Sequence, residues 1–76
     1  GMSAEQTPMV IPEFRLTVRQ KQVLALMAQG HPNKIVAEEL EISEQTVKIH
    51  VNQIFKELRV FNRTQAVLKA QRHQLL

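Results

Sequence analysis

Cysteine is absent from the 76 residues. Its absence excludes a disulfide scaffold, a cysteine-ligated zinc site and a thiol nucleophile, and it suits a reducing cytoplasm. Aspartate is absent as well: all seven acidic residues are glutamates, so no phosphorylatable aspartate lies in this chain. Tryptophan and tyrosine are missing and phenylalanine occurs three times, which leaves few rings for single-stranded bases to stack on. No apolar run approaches the ~18 residues of a membrane span, and no signal-peptide pattern opens the chain. The expectation is a cytoplasmic protein without a membrane partner. Gly1 ahead of Met2 has the form of a tag-cleavage remnant.

Catalytic groupings are equally scarce. Serine is limited to Ser3 and Ser43, and Ser43 has a helix to cap. His31, His50 and His73 stand at spacings that match no metal-site pattern. No paired acid and base and no phosphate-cradling glycine loop can be assembled. The sequence is therefore read as that of a non-enzyme, with no cofactor and no metal.

What is present is enough apolar residue, 43%, for a single domain with a thin core. The net charge of +3 hides an asymmetry. Residues 1–44 carry four Lys/Arg against six Glu, whereas residues 45–76 carry Lys48, Lys56, Arg59, Arg63, Lys69 and Arg72 against Glu57 alone. A basic half favours a polyanionic partner; charge alone is equally compatible with a lysine-rich solvated surface.

Residues 1–14 show no period and contain Pro8 and Pro12, reading as a flexible arm or linker ahead of a domain over 15–76. Thr17 and Gln20 form a capping-box pattern, Val23, Leu24 and Met27 a helical stripe, and Gly30 a left-handed stop, which predicts a helix near 18–28. Pro32 suits the first turn of a second helix, and Val36, Ala37 and Leu40 give that helix, 33–40, a short inward face. Ser43 is an N-cap candidate for a third, 44–58, in which Val47, Val51, Ile54 and Leu58 fall in one narrow sector with Phe55 at its edge. A fourth begins after Asn62, again with a glutamine three positions on at Gln65; Ala66, Val67 and Ala70 face inward, and it frays near His73. The fold class is all-α: a four-helix helix-turn-helix domain with helices about 18–28, 33–40, 44–58 and 63–73.

The connection Glu41-Ile42-Ser43 is too short for a crossover and lets Ile42 tuck beneath the joint. A joint this tight holds the third helix across the second with one face outward, able to enter a major groove ~12 Å wide. That outward face carries Gln45, Lys48, Ile49, Asn52, Gln53 and Lys56. Asn and Gln bond adenine, lysine reaches guanine or phosphate, and an aliphatic side chain packs on a thymine methyl. Over residues 43–58 Lys48 and Lys56 are offset by Glu44 and Glu57, so flanking groups must supply affinity. Thr46, Asn33, Lys34 and Arg63, together with Lys56 from the face itself, are the candidates for phosphate. On the last helix Leu68, Gln71, Arg72 and Leu75 lie away from the inward face and are the candidate dimer contact, which would give a near-palindromic target. His50 sits between stripe and face, with a structural or phosphate-bonding role.

The run Leu16-Thr17, Val23-Leu24, Gly30-His31-Pro32-Asn33-Lys34, Ser43-Glu44-Gln45-Thr46-Val47-Lys48-Ile49-His50-Val51 and Arg63-Thr64-Gln65-Ala66 resembles the LuxR-type (GerE-like) helix-turn-helix domain over about residues 16–76. The resemblance implies a bacterial transcription regulator whose third helix enters the major groove and whose copies pair through the fourth. Carried over by position, it makes Lys48, Ile49 and Asn52 base-facing and Thr46, Lys34 and Asn33 phosphate-facing. It also implies either a stand-alone regulator or the output domain of one whose sensor or receiver domain lies outside this chain. Four positions depart from the family's pattern. Gln20 replaces a usual glutamate. Glu41 and Arg59 replace frequent glycines, so those turns are expected to use a geometry other than the left-handed cap. Ile35 replaces a polar residue, adding exposed apolar surface. A rival reading is therefore kept: a protein-interaction module that docks through Ile35, Ile49 and Leu68 and binds no DNA.

Overall fold

The computed structural model describes residues 14–76; apart from Phe14, the expected arm lies outside the described residues. Within them the chain forms four helices and no strand: α1 Val18–Ala28, α2 Asn33–Leu40, α3 Glu44–Leu58 and α4 Arg63–Arg72. The last ends one residue earlier than expected.

Three of the four helices start at a side-chain cap. Gln20 N–H donates to Thr17 Oγ1 and Thr17 N–H donates to Gln20 Oε1, both at 3.0 Å, completing the capping box of α1. Pro32 is the N-cap of α2, one position ahead of the first helical turn expected for it. Its carbonyl accepts from Ile35 and Val36 N–H at 3.0 Å each, and no side chain caps this end. Ser43 Oγ accepts from Thr46 N–H at 3.0 Å and also shares a hydrogen bond with Thr46 Oγ1 at 2.9 Å. Asn62 Oδ1 accepts from Gln65 N–H at 2.8 Å. The reciprocal bond expected of Gln65 goes one residue further back, to Phe61 N–H.

The helix ends correct one expectation. Gly30 takes φ +89° after α1, as a left-handed stop requires. Glu41 and Arg59 nevertheless adopt the same region, at φ 58°, ψ 44° and φ 59°, ψ 48°. The left-handed turn brings Ile42 N–H to Ala37 O and Val60 N–H to Phe55 O, each at 3.0 Å. It also carries Ile42 and Val60 onto the core. Those returns outweigh a penalty of about 1 kcal/mol for a side chain at positive φ.

The core is one aliphatic cluster of Val23, Leu24, Met27, Val36, Ala37, Val47, Val51, Ile54, Leu58, Ala66 and Ala70, and no polar side chain among the described residues is buried. α3 is the central element, packed against α1, α2 and α4. Alanines at 66 and 70 put no bulk between α4 and its neighbours. Phe14, assigned to the arm by its sequence context, also packs on this core. Its ring meets His73 edge-on at 5.1 Å, with Lys69 Nζ 5.2 Å from its centroid.

Candidate nucleic-acid interface

The four aliphatic side chains of α3, Val47, Val51, Ile54 and Leu58, are 0–7% exposed. Burying that seam turns the opposite face to solvent: Gln45, Lys48, Asn52, Gln53 and Lys56 are exposed, and Ile49 is 47% exposed. The geometry is a consequence of helix period, since residues half a turn from a fully buried stripe have nowhere to go but outward.

Glu44 and Glu57 offset the lysines of α3 in charge, but they lie in different places. Glu57 is half-buried and its Oε2 accepts from Arg15 N–H at 2.9 Å, so it is tied to the lead-in of α1. Glu44 is exposed in the first turn, where the helix dipole favours a carboxylate. It lines an open depression with Lys48, Gly30, His31, Pro32, Asn33, Lys34 and Arg63. The expected phosphate contacts Asn33, Lys34 and Arg63 therefore gather beside Lys48 at one flank of α3.

Arg63 is turned further inward than its sequence position indicated. It is half-buried, donating from Nη1 to His31 O at 2.9 Å and from Nη2 to Asn33 Oδ1. It spans the start of α4 and the start of α2, and it occupies the Asn33 oxygen so that the Asn33 amide nitrogen is left for another partner. Thr46 is half-buried beside its cap. His50 is half-buried, and its Nδ1 is a buried atom with no hydrogen-bond partner. Ile35 is half-buried rather than exposed, which reduces the apolar surface on which the rival docking reading relied.

On α4, Leu68 is 55% exposed and Gln71 and Arg72 are exposed. Leu75 departs from that set. The helix has already ended at Arg72, Gln74 takes φ 57°, and Leu75 N–H returns to Ala70 O at 2.8 Å, folding the side chain back against the chain's own core. A helix continued to the end of the chain would have kept it outward; a left-handed turn does not.

Three features escaped the sequence reading. Gln20 Nε2 donates to Gln53 Oε1 at 2.9 Å across α1 and α3. Phe61 and Val18 are 89% and 75% exposed. Two glutamines 33 positions apart carry no local signal that they meet. Phe61 directly precedes the Asn62 cap, where an apolar residue often staples onto the first turns of the helix, yet it stays exposed.

No described helix is long and apolar enough to cross a membrane, and among the described residues no group of acidic and histidine side chains is placed to hold a metal ion. The model of the family "Bacterial regulatory proteins, luxR family" matches residues 15–70. The nitrate/nitrite response regulator protein NarL of Escherichia coli is 43% identical over 54 residues, 71% of this chain and 25% of that protein. The transcriptional regulatory protein LiaR of Bacillus subtilis is 42% identical over 66 residues, 87% of this chain and 31% of LiaR. The chain thus spans about a quarter to a third of these relatives' length. Among solved structures, the transcription factor GerE superposes with TM-score 0.76 at 33% identity, covering 80% of this chain and 91% of GerE. The response regulator ChrA of a heme-sensing two-component system superposes with TM-score 0.80 at 33% identity, covering 95% of this chain and 35% of ChrA. With the family model matched over residues 15–70 and the four-helix fold shared with GerE, the chain belongs to the luxR family of bacterial regulatory proteins and carries its helix-turn-helix domain.

Proposed function

We propose that this domain binds double-stranded DNA sequence-specifically to regulate transcription, with α3 lying in the major groove. The observation that carries the reading is the division of α3 into a buried aliphatic seam and an exposed face of Lys48, Ile49 and Asn52. Asn52 offers an acceptor and a donor for the N6 and N7 edge of adenine, Lys48 a donor for guanine, and Ile49 an apolar surface for a thymine methyl. Thr46, Lys34, the free amide of Asn33 and Lys56 face phosphates, as do the guanidinium donors of Arg63 left over from its internal bonds. Two copies pair through Leu68, Gln71 and Arg72 of α4, so that the target is a near-palindrome.

The chain acts either alone or as the output domain of a longer regulator. Response regulators among its relatives favour the second. In that case the phosphorylated residue lies in another domain, since this chain has no aspartate.

Selection of bound sites from a random duplex pool tests the proposal. The expected outcome is enrichment of one two-fold-related motif, with affinity that falls steeply as salt rises. Failure to enrich any duplex, combined with salt-insensitive capture of a protein partner, would replace it with the protein-docking reading.

A further inference from the structure

The amides of Gln20 in α1 and Gln53 in α3 meet in an order that chemistry dictates. Thr17 N–H can only donate, and it donates to Gln20 Oε1 at 3.0 Å. The Gln20 oxygen is thereby assigned to the cap and its nitrogen to the other side, where it donates to Gln53 Oε1 at 2.9 Å. Gln53 must answer with its carbonyl, which leaves its NH2 group as the part of the amide that faces away. Gln53 is exposed, and that nitrogen has no hydrogen-bond partner among the described residues. At ~100° per residue, Gln53 stands about 40° from Ile49 toward α1, whereas Lys48 stands about 100° to the other side. There Lys48 lines the depression formed with the first turn of α2. The two flanks of the reading face thus carry different donors.

We propose that Gln53 is a further DNA-contacting residue, held by Gln20 as a donor-only group, and that it binds a backbone phosphate oxygen on the α1 flank of the groove. The inference rests on the DNA-binding reading above. Free glutamine reads adenine with its carbonyl and amide together; with the carbonyl turned to Gln20, the group is oriented to offer its two N–H donors to an acceptor. Gln20 acts through Gln53 and is a positioning residue. A glutamate at position 20 would still accept from Thr17 N–H, but its second oxygen cannot donate. Gln53 would then turn its NH2 inward and present a carbonyl oxygen to the phosphate.

The test uses a duplex selected by the wild-type chain, with neutral methylphosphonates substituted one at a time along each strand. Gln53→Ala is expected to weaken binding roughly three- to ten-fold, the range of one hydrogen bond. It should also abolish sensitivity to one methylphosphonate that wild type feels. Gln20→Glu should reproduce both effects with an unchanged or raised thermal midpoint, and the double variant should lose no more than Gln53→Ala alone. A structural role for Gln20 would instead lower the midpoint and leave the methylphosphonate profile intact. Unchanged affinity of both variants on the selected duplex overturns the relay while leaving DNA binding standing. Loss of preference for an adenine in Gln53→Ala overturns it in favour of base readout. If wild type selects no duplex, the functional reading falls and this contact falls with it.

Discussion

Glu41 and Arg59 show how a single residue trades local strain for packing. Both sit at positive φ with a Cβ that region disfavours, and both are exposed, so their side chains contribute little to the core. Replacing either with glycine relieves the strain but adds freedom to the unfolded chain. The expected net gain is small, up to about 0.5 kcal/mol per site once the two effects offset, measured as a shift in the urea midpoint with unchanged slope. A loss at either position would mean that its side chain holds a contact more valuable than the strain. Lys48 and Asn52 are the opposite case, exposed residues whose removal should leave stability alone. Lys48→Ala and Asn52→Ala are each expected to cost about 1–3 kcal/mol of operator affinity and to relax specificity at one base pair. Competition binding against singly substituted duplexes reads both effects, and unchanged binding by two well-folded variants would remove these residues from the reading face.

At the scale of the element, α3 serves two ends at once. Its seam closes the core, and Leu58, fully buried in the last turn, anchors the end that turns into α4. Leu58→Ala is expected to cost about 2–5 kcal/mol, as large-to-small changes in tight cores do. In a domain of this size that shifts the thermal midpoint by many degrees, and calorimetry reads it directly. At the other end, Ser43 caps α3 and orders Thr46. The helix–turn–helix joint was legible because its signals are local: a serine cap, an apolar Ile42, and a period of apolar residues that changes phase on either side. The left-handed caps were not, because whether a non-glycine residue accepts positive φ depends on what the following residue gains. Here Ile42 and Val60 gain burial on a surface built by other helices.

Across the whole molecule, the charge asymmetry acquires a geometry. Glu57 is half-buried against the Arg15 amide, while Lys48, Lys34 and Arg63 gather at one depression with Glu44 as its one carboxylate. Lys34→Ala is expected to weaken binding to all duplexes alike and to reduce the slope of log K against log salt by about 1; a change confined to one sequence would make Lys34 a base reader. Pairing of two copies belongs to this scale too. Leu68 is the large apolar residue of α4 that is exposed, and Leu68→Glu is expected to abolish the second binding step on a palindromic duplex while leaving one half-site occupied. Sedimentation of the complex distinguishes one bound copy from two, and two copies on DNA with Leu68→Glu would place the pairing surface elsewhere.

Most of the architecture was written in short-range pattern: the four helices, their caps and the core stripe depend on neighbours within about four positions, the reach of a helical hydrogen bond. The same pattern picked out the outward face of α3, since a buried seam implies its opposite. Tertiary structure alone decided that Arg63 turns to His31 and Asn33, that Glu57 meets Arg15, that Gln20 reaches Gln53, and that Leu75 folds back onto the core. The first three contacts join residues 30 or more positions apart, and the last depends on where the packed helices leave room. Periodicity determines which way a side chain points from its own helix; which group it then meets is settled only when the helices pack.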